Sequence, residues 1–300
     1  MIKMEVRKSN SNYLYIVWSS LTVLISIMIF RKIFPMALFP TVLLFLSIYG
    51  LLLFMNYGIF GDWRNRLRMG LRRPATSEEK EYLGRLNDEV YLNVKRHYPH
   101  VKKADIFLIN ENGINAFALG FKTIGLTTMA LTDLTDGELK AVLAHEYAHL
   151  AFKDTFHFIL FNSSFAILSI ALVPLYVLGF FVCFILAFFE GLLSGGSSAS
   201  LSEGLLNMFI RLVRWGYITY YRMGLYFVNI GSRDFEYRAD EVAAKAGYGE
   251  ELLSFFYRLE RESLDVRKGF FALLASTHPY TAYRIENIES FLTETRQELP

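Results

Sequence analysis

Cysteine is almost missing from this sequence. Cys183 is the single thiol in 300 residues, so no internal disulfide can form. It sits in an apolar run, where a free thiol packs as a small hydrophobe, and redox chemistry is set aside. Excess charge is missing too: 31 Lys and Arg face 29 Asp and Glu, and a net +2 gives no electrostatic ground for a nucleic-acid or acidic partner. Over long stretches charge is missing altogether. Residues 13–30 and 36–60 hold no Asp, Glu, Lys or Arg, and residues 155–189 hold only His157 as a group that titrates near neutrality. What fills the space is apolar. At 53% hydrophobic residues, with 27 Phe and a positive mean hydropathy, the chain exceeds what a soluble globule needs and reads as a membrane protein.

Residues 13–30 are near the lower length limit for a transmembrane helix. No small-residue cleavage site precedes Arg31 and Lys32, so the expectation is an uncleaved anchor. Residues 36–60 are long enough to cross again, and the two runs form a hairpin. Basic residues flank it as Lys3, Arg7 and Lys8 before, Arg31 and Lys32 at the tip, and Arg64, Arg66, Arg68, Arg72 and Arg73 after. The positive-inside bias therefore puts both ends in the cytoplasm. The arginine run after the hairpin reads as topology and headgroup contact rather than a nucleic-acid patch.

From Thr76 the composition turns soluble. Thr76 followed by Glu79 has the capping-box spacing and opens a helical pattern. Short β-rich pieces follow at residues 105–109, 114–119 and 123–128, separated by turn residues, so a small sheet is expected. His97 and His100, at the end of the first helix, read as solvated surface residues.

The run HEYAH, His145 to His149, comes next. Histidines four apart lie on one face of a helix and can reach one metal ion, while Glu146 beside them can act as general base on an activated water. Thr135 or Asp136 serves as N-cap, with Glu138 in the first turn and an apolar stripe of Leu139, Val142, Leu143 and Leu150. Residues 155–189 then exceed one bilayer crossing, so their first turns remain at the surface. Residues 205–230, interrupted by Arg211, Arg214 and Arg222, are expected to return the chain, because both sides of this region build one site. Their arginines would face partner helices or snorkel. Beyond them, Glu236 and Asp240 are four apart on a helix expected to be capped near Ser232. Glu236 can complete a His, His, Glu metal site and Asp240 can accept the outer N–H of a ligating imidazole.

HEYAHLAFKD, SRDFEYRAD, NAFALG and STHPYTAYRI together resemble the signature blocks of the HtpX-like membrane zinc metallopeptidases, relatives of the CAAX prenyl endopeptidases. Two spans before the catalytic part and two between the second His and the Glu also resemble that layout. The resemblance implies one zinc ion per chain held by His145, His149 and Glu236, with Glu146 as base and later proton donor and Asp240 behind a ligand. It further implies that Asn115 and Ala116 lie on an edge strand that pairs with substrate backbone, that His278 stabilises the oxyanion, and that Arg284 supports the site and substrate binding. Tyr280 stands where the family usually has a second Pro, and Leu119 where Thr is common.

The expected fold class is α+β. It comprises an integral membrane protein with four transmembrane helices and a small gluzincin-like catalytic domain. The expected division is a hairpin at 1–62, the first catalytic part at 63–155, a second transmembrane pair at 156–230 and the second catalytic part at 231–300. The expected activity is zinc-dependent hydrolysis of misfolded or membrane polypeptides at the cytoplasmic face of the cell membrane, with the bilayer as partner and no nucleic acid. A CAAX-type processing peptidase and a non-catalytic zinc-binding scaffold are the alternatives. The intact Glu146 argues against the scaffold, since a structural zinc site needs no base beside its ligands.

Overall fold

A computed structural model describes residues 12–193, 200–265 and 281–297. The chain divides into two compact units. One draws on Tyr13–Leu53 and Leu160–Val228, the other on Phe54–Ile159 and the chain from Asn229 onward.

The first unit is built from helices α1 (Asn12–Ile33) and α2 (Leu38–Asn56) with the long middle stretches of α7 (Asp154–Leu193) and α8 (Ser200–Ala243). Val23, Ile27, Phe45, Ile167 and Ala171 form its packed centre. Ser19, Thr22, Ser26 and Thr41 are buried with them, and small polar side chains of this kind let helices approach closely where lipid replaces water. Thr22 and Ser26 bond back to the carbonyls of Trp18 and Thr22, so their hydroxyls are satisfied within the helix. Trp18 stacks on Tyr220 at 5.0 Å. Outward, Val177, Phe180, Phe181, Phe184 and Phe188 of α7 are exposed, a face suited to acyl chains rather than water.

Among the described residues three helices, α1, α2 and α7, are long and apolar enough to cross a membrane. α8 is long enough but is not among them. Arg211, Arg214 and Arg222 lie exposed along it. The second apolar run also ends earlier than its lack of charge suggests. α2 stops at Asn56, and a turn at Gly58, with φ +86°, starts a separate helix α3 (Gly58–Arg68).

The second unit packs α4 (Ser77–His97) and α6 (Asp136–Phe152) against a three-stranded sheet. Its strands are β1 (Asp105–Ile109), β2 (Ala116–Leu119) and β3 (Thr123–Thr127), in the order β1-β3-β2. β3 pairs parallel with β1 and antiparallel with β2, so the sheet is mixed and β2 occupies an edge. A short helix α5 (Thr128–Asp133) leads to α6. Leu83, Leu86, Val90 and Val94 recur along α4 at helical spacing and meet Leu139, Leu143 and Tyr147 of α6 over Ile124 and Leu126 of β3. The buried Tyr147 hydroxyl donates to Asn87 Oδ1 at 2.6 Å and accepts from the Ala104 amide at 3.0 Å, so α6, α4 and the chain entering β1 share one satisfied polar node. His97 and His100 are exposed.

α8 ends in a single wide turn, Ala244–Tyr248, where Gly247 at φ +93° redirects the chain into α9 (Gly249–Asp265). The last described helix is α10 (Thr281–Gln297). Phe256 of α9 and Ile285 and Ile288 of α10 close the same core.

Candidate active site

The centre rests on α6 and on the C-terminal part of α8. α6 begins in a complete capping box: Thr135 accepts from the Glu138 amide at 3.2 Å, and Glu138 accepts from the Thr135 amide at 3.0 Å. It ends at Lys153, whose left-handed conformation (φ 59°) lets its N–H bond back to the last turn. Four residues of separation then stack His145 and His149 on one face. α8 does the same for Glu236 and Asp240. The helix does not begin near Ser232, as the sequence suggested. It runs unbroken through that position, and the Ser232 hydroxyl bonds back to the Asn229 carbonyl at 2.9 Å. No residue there lacks an N–H or clashes with the preceding turn, so nothing stops a helix already in progress.

His145 Nε2 and His149 Nε2 are 3.1 Å apart, and the Glu236 oxygens lie 3.5 and 3.7 Å from them. Three donor atoms on a tetrahedral ion with bonds of about 2.0–2.1 Å would stand roughly 3.3 Å from one another. The outer nitrogens settle the tautomers. His145 Nδ1 donates to Asp240 Oδ1 at 2.9 Å and His149 Nδ1 donates to Asp154 Oδ2 at 2.9 Å. Both Nε2 lone pairs are therefore aimed at each other and at a carboxylate. Three electron-rich atoms at this spacing repel unless a cation lies among them, which is the condition of a metal site.

Each carboxylate behind an imidazole is itself held. Arg284 of α10 gives Asp240 two bonds, Nε to Oδ2 at 2.8 Å and Nη2 to Oδ1 at 2.6 Å, and reaches Glu236 Oε2 with Nη1 at 3.1 Å. Its guanidinium lies 4.4 Å over the Phe256 ring. On the other side Arg238 bonds Asp154 and lies 4.1 Å over Phe152 and 5.0 Å over Phe235. The result is a duplicated support of imidazole, carboxylate, guanidinium and aromatic ring. Asp154 and Arg238 were not foreseen from the sequence. The available signal is that each of two imidazoles able to share a metal needs its own acceptor, whereas Asp240 serves one.

Glu146 is buried beside the pair, and its charge is felt by both His149 and Arg284. Asn115 sits just ahead of β2: its amide donates to Thr127 Oγ1 at 3.0 Å and its carbonyl accepts from the Thr127 amide at 3.0 Å. Ala116 opens β2 opposite Leu126, leaving the strand's other side at the sheet edge. His278 lies outside the described residues.

When no metal is bound, a proton can serve as that cation. Burial opposes charge on His145, yet hydrogen bonds to Asp240 and Glu236 win, and its pKa rises from 6.5 to about 10. His149 is also raised, against burial, by Asp154 and Glu236. Asp240 is held low: burial alone would raise it, but Arg284 and His145 outweigh that. A folded-state value above the unfolded one stabilises the metal-free protein fully below about pH 6.5, and this contribution drains away as pH rises through about 10. The melting temperature of the apoprotein should therefore fall between neutrality and pH 10. Metal uptake near pH 7 should release a proton, read by calorimetry in buffers of differing ionisation heat. A proton count of zero would contradict this description of the site.

The chain also resembles known proteins over much of its length. The chain is 27% identical over 207 residues to the protease HtpX homologues of Neisseria meningitidis serogroup B and Neisseria gonorrhoeae, covering 64% of this chain and 67% of each relative. Residues 77–292, which hold α4, the sheet, both histidines, Glu236 and Arg284, match the model of peptidase family M48. With that match extending over well more than half its length, the chain belongs to peptidase family M48 and is a membrane metallopeptidase.

Proposed function

We propose that the chain is a zinc endopeptidase acting on misfolded or membrane polypeptides at the cytoplasmic face of the cell membrane. The observation that carries this reading is the convergence of His145 Nε2, His149 Nε2 and a Glu236 carboxylate oxygen within 4.8 Å, with both outer imidazole nitrogens already committed. Two imidazoles and one carboxylate with a position left open suit a hydrolytic zinc ion, one per chain. When bound, zinc would polarise a peptide carbonyl and make water acidic enough to attack.

The protein's own residues do the rest. Glu146 takes the proton from the attacking water and delivers it to the leaving amine. Asp240 and Asp154 keep each imidazole in the tautomer whose Nε2 faces inward. Arg284, with its bonds directed at Asp240 and Glu236, acts here by holding those carboxylates rather than by touching substrate. Among the described residues β2 is paired on one side alone, and its other side, from Ala116, would offer N–H and C=O groups on which an extended substrate can add as a strand, with Asn115 at its start. His278 is assigned to the oxyanion by family resemblance.

In this reading residues 205–230 of α8 form a fourth crossing, with the exposed arginines snorkelling toward the headgroups. The catalytic parts at 63–155 and 231–300 then share the cytoplasmic side with both termini. Purified protein should contain one zinc per chain and cleave casein in detergent and in lipid, with chelation abolishing cleavage and added zinc restoring it. Protein that takes up no metal and leaves casein intact in both media would refute the reading.

A further inference from the structure

Helix α3 has two opposed faces. Gly61 and Asp62 are buried, and the Asp62 carboxylate accepts from the amides of Phe121 and Lys122 at 3.2 and 3.3 Å and from the Thr123 hydroxyl at 3.3 Å. This face is fastened to the turn joining β2 and β3. The fit is close: Gly120 in that turn has φ +61°, and a Cβ there would fall 1.5 Å from Asp62 Oδ1. Tyr57, just ahead of α3, lies 4.9 Å from Phe156, and the Arg66 guanidinium lies 4.6 Å over Phe107 of β1.

The other face is apolar and, among the described residues, exposed. Ile59, Phe60, Trp63 and Leu67 are 73, 39, 50 and 63% exposed. At about 100° per residue all four fall within an arc of roughly 100°, centred opposite the buried pair. Arg64 and Arg68 follow along one edge of this arc. The stripe begins where a candidate membrane span ends, since only Tyr57 separates α2 from α3. An apolar arc continuous with a span and bordered by cations matches the boundary between acyl chains and acidic headgroups.

We propose that α3 lies in the plane of the membrane surface. Ile59, Phe60, Trp63 and Leu67 sink among the upper acyl carbons, and Arg64 and Arg68 meet anionic headgroups. Through Asp62 the same helix fixes the β2–β3 turn relative to that surface. The open edge of β2 is thereby offered to polypeptide emerging from the bilayer. This last consequence rests on the reading of β2 as the substrate strand, whereas the docking itself does not.

The test uses the full chain in lipid nanodiscs with Trp18→Phe and Trp215→Phe, leaving Trp63 as the only indole. Lipids brominated high on the acyl chain should quench its emission roughly twofold, more than lipids brominated deep in the chain, and iodide in the water should have little access. Ile59→Glu with Leu67→Glu should reverse this pattern while zinc content stays unchanged. Arg64→Gln with Arg68→Gln should remove the added quenching seen on moving from zwitterionic to anionic lipid. Free iodide access with no bromine quenching overturns the proposal. So does protection from both quenchers, which would assign the face to a protein. Should loss of Trp18 from its stack on Tyr220 unfold the chain, a nitroxide at Leu67→Cys in a Cys183→Ser background reads the same depth by oxygen and nickel collision.

Discussion

Replacing Glu146 with Gln should leave zinc content and folding unchanged and lower peptide hydrolysis by about 10²–10⁴-fold, the range over which a positioned general base contributes. Glu146 is buried on α6 next to His145, but the three atoms that meet are those of His145, His149 and Glu236. Gln keeps the volume and the helix while removing the ability to take a proton, so the base is lost without the ligands. The profile separates this role from a structural one: KM should change little and kcat should carry the loss. A fall in bound zinc of the same size as the fall in rate would instead show Glu146 to be holding the metal, and unchanged turnover would remove it from the chemistry.

Much of the site was legible because its rules are local. A capping box at Thr135 and Glu138, an apolar stripe and an i, i+4 histidine pair all act within one helix, and the structure has each of them. Glu236 and Asp240 were legible for the same reason. Where they meet the histidines is a long-range fact, supplied by family resemblance rather than by periodicity.

The boundaries were less legible. A charge-free run says where lipid is tolerated and not where a helix stops, so residues 36–60 concealed the turn at Gly58. Ser232 looked like a cap because serine often is one, yet α8 runs past it. Asp154 and Arg238 escaped because their pairing depends on a left-handed turn at Lys153 and on two helices meeting, neither of which the spacing of residues encodes. Among the described residues three apolar helices stand out by composition, while α8 carries arginines that composition alone counts against it.

Removing the Asp240 carboxylate should damage both the metal site and the fold. Asp240 is fully buried and accepts a hydrogen bond from His145 Nδ1 together with two bonds from Arg284. In Asp240→Ala the imidazole loses the partner that fixes its tautomer, a change that typically costs 10–100-fold in metal affinity. Arg284 is left buried with Glu236 as its remaining carboxylate at the site, 3.1 Å away, and breaking a buried pair from one side costs about 3–5 kcal/mol. The two losses reinforce each other, because a guanidinium drawn further toward Glu236 competes with the metal for the same oxygen. Asp240→Asn should fall between: it can still accept from His145 but cannot present two charged oxygens to Arg284. Chelator competition for zinc and thermal unfolding of the apoprotein measure the two parts separately. If both variants bound zinc as tightly as the native chain, the bond from His145 to Asp240 would be incidental, and the tautomer assignment that makes the three inward atoms a metal site would lose its support.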